Sequence, residues 1–325
     1  MLIIAVLFAS IALCPAFETH LHPTARVILG QRASQFQTSF YCTLYIEFGD
    51  DSGTAVCGAA VLKDNRVLTA AHCLVRTDPS SPTNVYLATA VFVRLYGVLR
   101  SANGALVRIN MQTVRVHPEY RTYDMFADIA TFEISKEFIS NAFVPLLVNE
   151  EQGNWNSLTS WDQLFVVGVG MDRNNALSLG APRKASLSRR SCTHPVGFGD
   201  LHPWSPEWIH QDICAGPFAP CDMSGRCSSS CKGDSGGPLY HRQRNNSVIM
   251  YGIVSRGTEH CGISGRLGGR PGIYVSTSNY VSFIRGQSNV TDAFRFVAVT
   301  SSARRKFLWR QVTRLLITQA LLLAL

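Results

Sequence analysis

Short runs of alternating apolar and polar residues recur along the chain, separated by glycine, proline, asparagine and aspartate. Such runs are typical of β-strands, and breakers at this spacing are typical of all-β folds. The clearest helical spacing before the carboxy-terminal tail lies in 277–286, where Tyr280, Val281 and Ile284 share one face. We therefore predict an all-β protein with one short carboxy-terminal helix. The predicted strands include the runs 41–48, 90–95, 106–116, 164–169 and 248–254.

The first sixteen residues are apolar and carry no side-chain charge. They end at Cys14-Pro15-Ala16, where compact residues favour cleavage. This pattern predicts a secretory signal peptide over 1–16. A signal anchor is the alternative, but the apolar run is shorter than the roughly 18 residues that a membrane span needs.

The opposite end of the chain is also apolar, over the eleven residues 315–325. A basic stretch, 304–314, and the small residues 301–303 precede it. This succession matches the signal for a glycosylphosphatidylinositol (GPI) anchor, whose tail is removed. The alternatives are a basic amphipathic helix on a membrane surface and a poorly ordered extension. A transmembrane span is disfavoured because Arg310 and Arg314 would lie within it.

Composition limits the classes of function. With 325 residues and 46% hydrophobic content, the chain is long enough to bury a large core. The net charge is +8, but five basic residues and no acidic ones lie beyond Ser302. The span 27–302 is therefore only about +3, and we predict no nucleic-acid partner. The basic cluster in 183–190, expected in a loop, is the one feature that could attract an acidic partner.

Ten cysteines indicate an oxidising compartment. Removal of Cys14 with the signal peptide leaves nine, so at least one thiol stays unpaired or bonds another molecule. Zinc is a competing use of clustered cysteines. However, Cys221, Cys227 and Cys231 form no C-x-x-C pair, so we predict no metal site.

The chemistry-bearing motif is Gly-Asp-Ser-Gly-Gly within 231–238. A serine flanked by glycines on a tight turn can expose its hydroxyl beside backbone N–H groups. As a nucleophile, Ser235 would need a general base and a group that orients this base. His72, beside a cysteine in 68–73, and Asp128, inside an apolar run, are the candidates. Each motif alone could be a glycine-rich turn, a structural histidine or the start of a strand, but their coincidence favours catalysis.

With these motifs in the order His, Asp, Ser, the sequence resembles the chymotrypsin-like serine peptidases from about Val27 to Ile284. The resemblance implies two packed six-stranded antiparallel β-barrels with a short carboxy-terminal helix, and no cofactor. It implies that Ser235 attacks a peptide carbonyl, His72 acts as base and Asp128 orients the histidine. The backbone N–H groups of Gly233 and Ser235 would form the oxyanion hole.

The resemblance also implies activation by cleavage. An activating peptidase would cut after Arg26, and the freed ammonium of Val27 would pair with the carboxylate of Asp234. The alternative, an arbitrary Arg-Val in a linker, leaves Asp234 without this partner. The domain boundaries expected on this basis are a signal peptide at 1–16, a propeptide at 17–26, a peptidase domain at 27–286 and an extension at 287–325.

A substrate pocket is implied at positions that match the family. Ser229, at its base, offers no negative charge to a basic substrate side chain. Large apolar or aromatic P1 residues are therefore expected. The family's Ser-Trp-Gly strand reads Ser-Arg-Gly here, with Arg256 in place of the aromatic residue. The expected pocket residues are Ser229, Lys232, Ser255, Gly257 and Gly272.

The resemblance implies three disulfide bonds: Cys57–Cys73, Cys192–Cys214 and Cys231–Cys261. Of the remaining cysteines, we expect Cys221 to pair with Cys227 and leave Cys42 unassigned. Asparagine-linked glycosylation is expected at the two sequons that begin at Asn245 and Asn289.

Two functions of different classes remain open. The first is a secreted or surface-anchored serine endopeptidase made as a zymogen, with protein or peptide substrates and possible protein inhibitors. The second is a non-catalytic homologue that uses the same fold as a protein-binding module. An intact set of His72, Asp128, Ser235 and Gly233 favours the enzyme.

Overall fold

A computed structural model describes most of the peptidase-like region. Several expected features lie outside the described residues: the signal peptide, the propeptide with Arg26, Val27, the sequon at Asn289 and the apolar tail. The described residues are 30–34, 38–49, 53–62, 64–78, 81–96, 106–139, 146–171, 177, 181–192, 212–223, 227–257, 261 and 271–287.

The strands are numbered in chain order. The amino-terminal half contains β1 (Gln31–Arg32), β2 (Tyr41–Glu47), β3 (Thr54–Val61), β4 (Arg66–Thr69), β5 (Val75–Asp78), β6 (Ser81–Leu87), β7 (Ala90–Leu95), β8 (Leu106–Arg108), β9 (Arg115–Val116) and β10 (Ala130–Glu133). The carboxy-terminal half contains β11 (Leu146–Val148), β12 (Leu164–Gly168), β13 (Arg183–Arg190), β14 (Asp212–Pro217), β15 (Pro238–Arg242), β16 (Val248–Arg256) and β17 (Gly272–Ser276).

These strands form two main sheets. The first is an open antiparallel sheet of seven strands in the order β8-β7-β2-β3-β4-β10-β9. In the second, the order β13-β12-β15-β16-β17-β14 closes on itself because β14 also pairs with β13. β1 extends this sheet beside β13, and β11 pairs with β16 in parallel. The predicted all-β fold is confirmed, with one closed six-stranded barrel and one half-barrel.

Helices are short. They are α1 (Ala71–Leu74), α2 (Gln152–Ser157) and α3 (Val281–Ile284), with 3₁₀ turns at Met111–Thr113, Lys136–Phe138 and Thr277–Tyr280. The helix predicted over 277–286 is thus a 3₁₀ turn that continues into α3. Among the described residues, no helix is long and apolar enough to cross a membrane.

Two sequence interpretations need correction. The run 106–116 is not one strand, because a 3₁₀ turn separates β8 from β9. The side chain of Asn110 caps this turn by accepting a hydrogen bond from the N–H of Gln112 at 3.0 Å. The basic cluster at 183–190 is strand β13 rather than a loop, since it pairs with both β12 and β14.

The two sheets pack against each other through buried aromatic side chains. Phe40, just before β2, meets Tyr240 of β15 edge to face with ring centroids 5.0 Å apart. Both rings are almost fully buried and belong to one continuous apolar core. The interior of the closed barrel holds a second cluster around Leu164 and Tyr274. The elements that carry His72, Asp128 and Ser235 emerge along the seam between the two sheets.

Candidate active site

His72 and Asp128 come from adjacent strands of the open sheet. His72 lies on α1, which directly follows β4, and Asp128 lies two residues before β10, the neighbour of β4. The disulfide between Cys57 and Cys73 ties α1 to β3 with a Cα–Cα distance of 6.2 Å. The sheet register and this crosslink together fix the histidine next to the aspartate.

The Asp128 carboxylate is fully buried and holds three hydrogen bonds. Its Oδ1 accepts from the backbone N–H of His72 at 2.8 Å, and its Oδ2 contacts Nδ1 of the imidazole at 2.8 Å. Oδ2 also accepts from the hydroxyl of Ser255 at 2.6 Å. This set of donors fixes both the position of the carboxylate and the orientation of the imidazole ring.

The two groups shift each other's protonation. Burial alone would raise the pKa of Asp128, but His72 and the hydrogen bond from Ser255 hold that pKa below its usual value. Burial would lower the pKa of His72, yet the charge and hydrogen bond of Asp128 raise it above its usual value. The pair therefore favours an imidazole that binds a proton readily.

Ser235 lies on a tight turn between β14 and β15, facing α1. The Sγ of Cys73 lies 3.9 Å from Nε2 of His72 and 3.7 Å from the carbonyl oxygen of Ser235. The same carbonyl accepts a hydrogen bond from the N–H of Gly58 at 2.7 Å. Cys73 thus contacts both the Nε2 end of the imidazole and the backbone of Ser235.

Two glycines allow this turn to form. Gly233 and Gly236 have φ angles of 94° and 80°, in the left-handed region that favours glycine. A Cβ atom at position 236 would lie 2.2 Å from Oγ1 of Thr69 and 2.3 Å from the carbonyl oxygen of Gly58. The turn therefore approaches β3 and β4 more closely than any larger residue permits.

Between these glycines, the carboxylate of Asp234 points away from Ser235 into a buried cradle. Oδ1 accepts from the N–H of Gly170 at 2.7 Å, and Oδ2 accepts from the N–H of Cys231 at 2.8 Å. A Cβ atom built at Gly168 or Gly170 would come within 2.5 Å of this carboxylate. Burial raises the pKa of Asp234 to about 7 despite these two donors. No lysine, arginine or histidine in the described ranges forms an ion pair with it.

Along the chain, the expected pocket residues both precede and follow the serine turn. Ser229 and Lys232 precede Ser235, while Ser255 and Gly257 lie at the end of β16 and Gly272 begins β17. The hydroxyl of Ser229 donates to the carbonyl oxygen of Ser230 at 2.8 Å. A Cβ atom at Gly257 would meet no heavy atom of the described structure within 4 Å.

Two features of this region are not evident from the sequence motifs. A Cβ atom at Gly272 would lie 3.1 Å from the hydroxyl of Tyr274, which places that hydroxyl near the pocket wall. Arg256 forms an ion pair with Asp212 of β14 and donates to the carbonyl oxygen of Asp124 at 2.6 Å. Burial raises the pKa of Asp212, and the charge of Arg256 opposes this rise. In the sequence, the signal for this ion pair is the cation Arg256 at the end of a mostly apolar strand, which needs an acidic partner if it is buried.

Four disulfide bonds join the described cysteines: Cys57–Cys73, Cys192–Cys214, Cys221–Cys227 and Cys231–Cys261. Cys42 is buried in β2 as a free thiol. Ligand atoms of Cys57, His72 and Cys73 cluster within 4.8 Å, a spacing suited to a metal ion. Because both sulfurs belong to a disulfide, they are not available as thiolate ligands.

Comparison with known proteins agrees with this geometry. A CLIP domain-containing serine protease, B8 of Anopheles gambiae, is 26% identical over 80% of this chain, which covers 66% of that protein. The venom peptide isomerase heavy chain of Agelenopsis aperta is 23% identical over 70% of this chain and 86% of its own length. Transmembrane protease serine 9 of Rattus norvegicus is 27% identical over 70% of this chain, which spans only 19% of that relative. The family model described as Trypsin matches residues 28–284, so the chain belongs to the trypsin family.

Proposed function

We propose that this chain is a serine endopeptidase with Ser235 as nucleophile, His72 as general base and Asp128 as the group that orients the base. The observation that carries this proposal is the buried Asp128 carboxylate, bonded at 2.8 Å to both the backbone and the ring of His72. This arrangement holds Nδ1 protonated and leaves Nε2, on the Ser235 side, to accept a proton. A histidine with a raised pKa suits that task.

The proposed reaction has two stages. Oγ of Ser235 bonds to the substrate carbonyl carbon while its proton passes to Nε2 of His72. The imidazolium then gives the proton to the leaving amine as the peptide C–N bond breaks, which leaves an acyl-enzyme. Water, deprotonated by the same histidine, hydrolyses this ester and restores Ser235. The N–H groups of Gly233 and Ser235 would stabilise the oxyanion in both stages, and each such donor is typically worth about 10²–10³-fold in rate.

Synthesis as a zymogen is part of the proposal. Asp234 is a fully buried carboxylate whose hydrogen-bond donors are two neutral backbone groups. A buried carboxylate without a cation is unfavourable, so a cation supplied after folding would be bound strongly. Cleavage after Arg26 would supply one in the Val27 ammonium. Since Asp234 lies between Gly233 and Ser235, that pairing would order the proposed oxyanion hole.

Specificity for large apolar or aromatic P1 side chains is proposed from the pocket. Ser229 contributes a hydroxyl rather than a carboxylate, and its hydrogen bond to the Ser230 carbonyl oxygen directs it to the protein backbone. Among the described residues, no heavy atom would meet a Cβ atom at Gly257 within 4 Å, which supports an open wall there. A pocket without a negative charge favours burial of apolar surface over capture of lysine or arginine.

An extracellular site of action is proposed from the disulfides and the sequon at Asn245. Four disulfides persist only in an oxidising compartment. Asn245 is exposed in the turn between β15 and β16, and its Oδ1 accepts from the hydroxyl of Ser247 at 2.7 Å. Exposure of Asn245 supports our proposal that it carries an asparagine-linked glycan. The terminal residues 301–325 are proposed as the signal for a GPI anchor.

Hydrolysis by the purified protein cleaved after Arg26 tests the proposed function. The protein should hydrolyse peptides after Phe, Tyr, Leu or Met, and Ser235→Ala should abolish this activity without changing secretion or thermal stability. Ser157→Ala, which alters an exposed serine on α2, is the matched control and should retain full activity. A properly folded, cleaved protein that hydrolyses no peptide would instead favour a non-catalytic binding module.

A further inference from the structure

The segment that leads to Asp128 is held in an unfavourable backbone conformation. Met125 and Ala127 have φ angles of 56° and 50°, which non-glycine residues rarely adopt. The N–H of Ile129 also bonds back to the carbonyl oxygen of Ala127 at 2.7 Å, across Asp128 itself. Such a conformation persists only where neighbouring groups impose it. The aspartate therefore depends on contacts that hold this segment in place.

Two consecutive residues of β16 supply contacts at both ends of the segment. Ser255 donates its hydroxyl to Oδ2 of Asp128 at 2.6 Å. Arg256 donates from Nη1 to the carbonyl oxygen of Asp124 at 2.6 Å. The register of β16 against β17 shifts between Val254 and Arg256. At this irregularity, Ser255 and Arg256 both contact the loop that leads to Asp128.

Arg256 is itself fixed by a second strand. Its Nη2 forms an ion pair with the carboxylate of Asp212 on β14, which lies one strand beyond β17. The side chains of Arg256 and Asp212 are only 16% and 12% exposed. Because this ion pair is largely buried, it restricts the motion of the guanidinium. The guanidinium therefore stays within hydrogen-bond distance of the Asp124 carbonyl oxygen. One guanidinium thus bridges β14 to the loop that carries the aspartate.

The carboxylate of Asp124 bonds to residues of its own loop and not to Arg256. Its Oδ1 accepts from the N–H of Phe126 at 3.0 Å, and its Oδ2 forms an ion pair with Arg121 at 3.0 Å. These contacts are internal to the loop and shape it. Through Arg256 and Ser255, the two ends of the loop bond to the closed barrel.

We propose that Arg256, held by Asp212, is a positioning residue that keeps Asp128 in place for its partner His72. The inference rests on the proposed peptidase function and adds a role for the residue that replaces the family's aromatic wall. Both terminal nitrogens of the guanidinium bond to the protein, so its role is to hold the loop rather than to capture an acidic substrate.

Charged and titratable groups surround the bridge. Arg256 lies close enough to the Asp212 carboxylate, the His72 imidazole and the phenols of Tyr120 and Tyr280 for its charge to affect the pKa of each group. Removing its charge would change the pKa of His72 directly, whatever happened to the loop. The test should therefore keep the positive charge and remove only the fork geometry, which Arg256→Lys does because a single ammonium cannot span two separated acceptors.

The experiment compares Arg256→Lys with the wild type on a chromogenic substrate that occupies only the P1 site. We expect kcat to fall by about tenfold to a hundredfold, the scale for a small misplacement of a catalytic group, with KM unchanged. The low-field proton resonance of His72 Nδ1–H, which reports its hydrogen bond to Asp128, should move upfield or vanish. Asp212→Asn should reproduce both effects by loosening Arg256. Arg115→Lys, at the exposed start of β9 where the arginine also donates to backbone carbonyls, should change neither.

Three outcomes decide the matter. If Arg256→Lys impairs only extended peptides and keeps wild-type kcat on the P1 substrate, Arg256 is a substrate-cleft residue and the proposal fails. An unchanged His72 resonance in Arg256→Lys and in Asp212→Asn also overturns it. If the wild type hydrolyses nothing, yet its resonance is present and both variants lose it, the positioning role stands while the proposed peptidase function falls. Asp212→Asn carries the test alone if Arg256→Lys does not fold.

Discussion

Asp128 binds His72 at two points, through the backbone N–H and through Nδ1 of the ring, each at 2.8 Å. A single contact would leave the imidazole able to rotate about it, whereas two contacts fix both the main chain and the side chain. The carboxylate that makes them is fully buried. Because burial strengthens the interaction between the two groups, the pair has a predictable effect on the pH dependence of hydrolysis.

Hydrolysis needs neutral His72, so kcat/KM should rise with pH through the pKa of this residue. Asp128 raises that pKa, and the midpoint of the acid limb should therefore lie above the usual histidine value of 6.5. In Asp128→Asn the raising charge is lost, so the midpoint should move to lower pH while kcat falls by about 10⁴-fold, the scale seen for this change in the family's template. Profiles of kcat/KM between pH 5 and 9 measure both effects.

The matched control for this substitution is Glu133→Gln, since Glu133 is an exposed carboxylate at the end of the adjacent strand β10. Its profile should overlay that of the wild type. An acid limb at the same pH in Asp128→Asn and in the wild type would contradict the assignment of Asp128.

Activation should depend on the cut after Arg26. Arg26→Gln should leave a precursor with little or no activity, because Asp234 lacks the Val27 ammonium. Autoactivation should be slow, since the proposed pocket prefers apolar residues to arginine. The measurement is hydrolysis by the uncut precursor and by the cleaved wild type, and full activity of the uncut protein would contradict the zymogen proposal.

The same pairing predicts a difference in stability between the two forms. In the precursor, burial raises the pKa of Asp234 from 3.8 to about 7, so folding favours its protonated form. Stability from this proton is present below the unfolded pKa and is lost as pH rises toward the folded pKa. In the cleaved form, the Val27 ammonium should lower the pKa of Asp234 and so prevent this loss of stability.

Denaturant unfolding between pH 4 and 7.5 tests this difference. The free energy of unfolding of the precursor should fall relative to that of the cleaved form as pH rises. Other ionisable groups contribute to both forms and largely cancel. Asp234→Asn in the precursor should abolish the difference in slope, and parallel curves for the two unmutated forms would count against the pairing.

Specificity should follow the uncharged base of the pocket. In a peptide library, substrates with Phe, Tyr, Leu or Met at P1 should be cleaved faster than those with Lys or Arg. Ser229→Asp should shift preference toward basic residues only in part, because the Cys221–Cys227 loop and the Arg256 strand also shape this region. A wild-type profile dominated by Arg would refute the pocket interpretation.

Membrane attachment is a separate prediction about the carboxy-terminal region. If residues 301–303 form an attachment site, the mature protein should lack 315–325, and a phosphatidylinositol-specific phospholipase should release it from cells. Mass spectrometry of the mature carboxy terminus decides the question. A retained Leu325, with binding to anionic vesicles that salt reverses, would indicate a basic amphipathic end instead.

The sequence predicts the fold class and the local motifs well because these depend on short-range pattern. The runs 41–48 and 90–95 match β2 and β7 closely: β2 is buried along most of its length, and much of β7 buries alternate residues. It fails at 106–116, where Asn110 bonds to the backbone and starts a 3₁₀ turn that hydrophobic spacing does not reveal.

Long-range partners are harder to predict. Arg256 is visible in the sequence as a cation where the family has an aromatic residue, but nothing in the spacing names Asp212 as its partner. That pair forms only in the folded sheet, where β17 alone separates β14 from β16. The cradle of Asp234 likewise depends on Gly168 and Gly170, about 65 residues away, which meet it only in the folded barrel.

Labelling with a fluorophosphonate probe tests the assignment of Ser235 as the nucleophile, because the probe reacts only where nucleophile, base and oxyanion hole act together. The protein cleaved after Arg26 should be labelled, and peptide mass spectrometry should place the adduct on Ser235. The Ser235→Ala, His72→Ala and uncut Arg26→Gln proteins should be labelled little or not at all. Folded, cleaved wild-type protein that stays unlabelled, or that carries the adduct on another residue, would contradict the account.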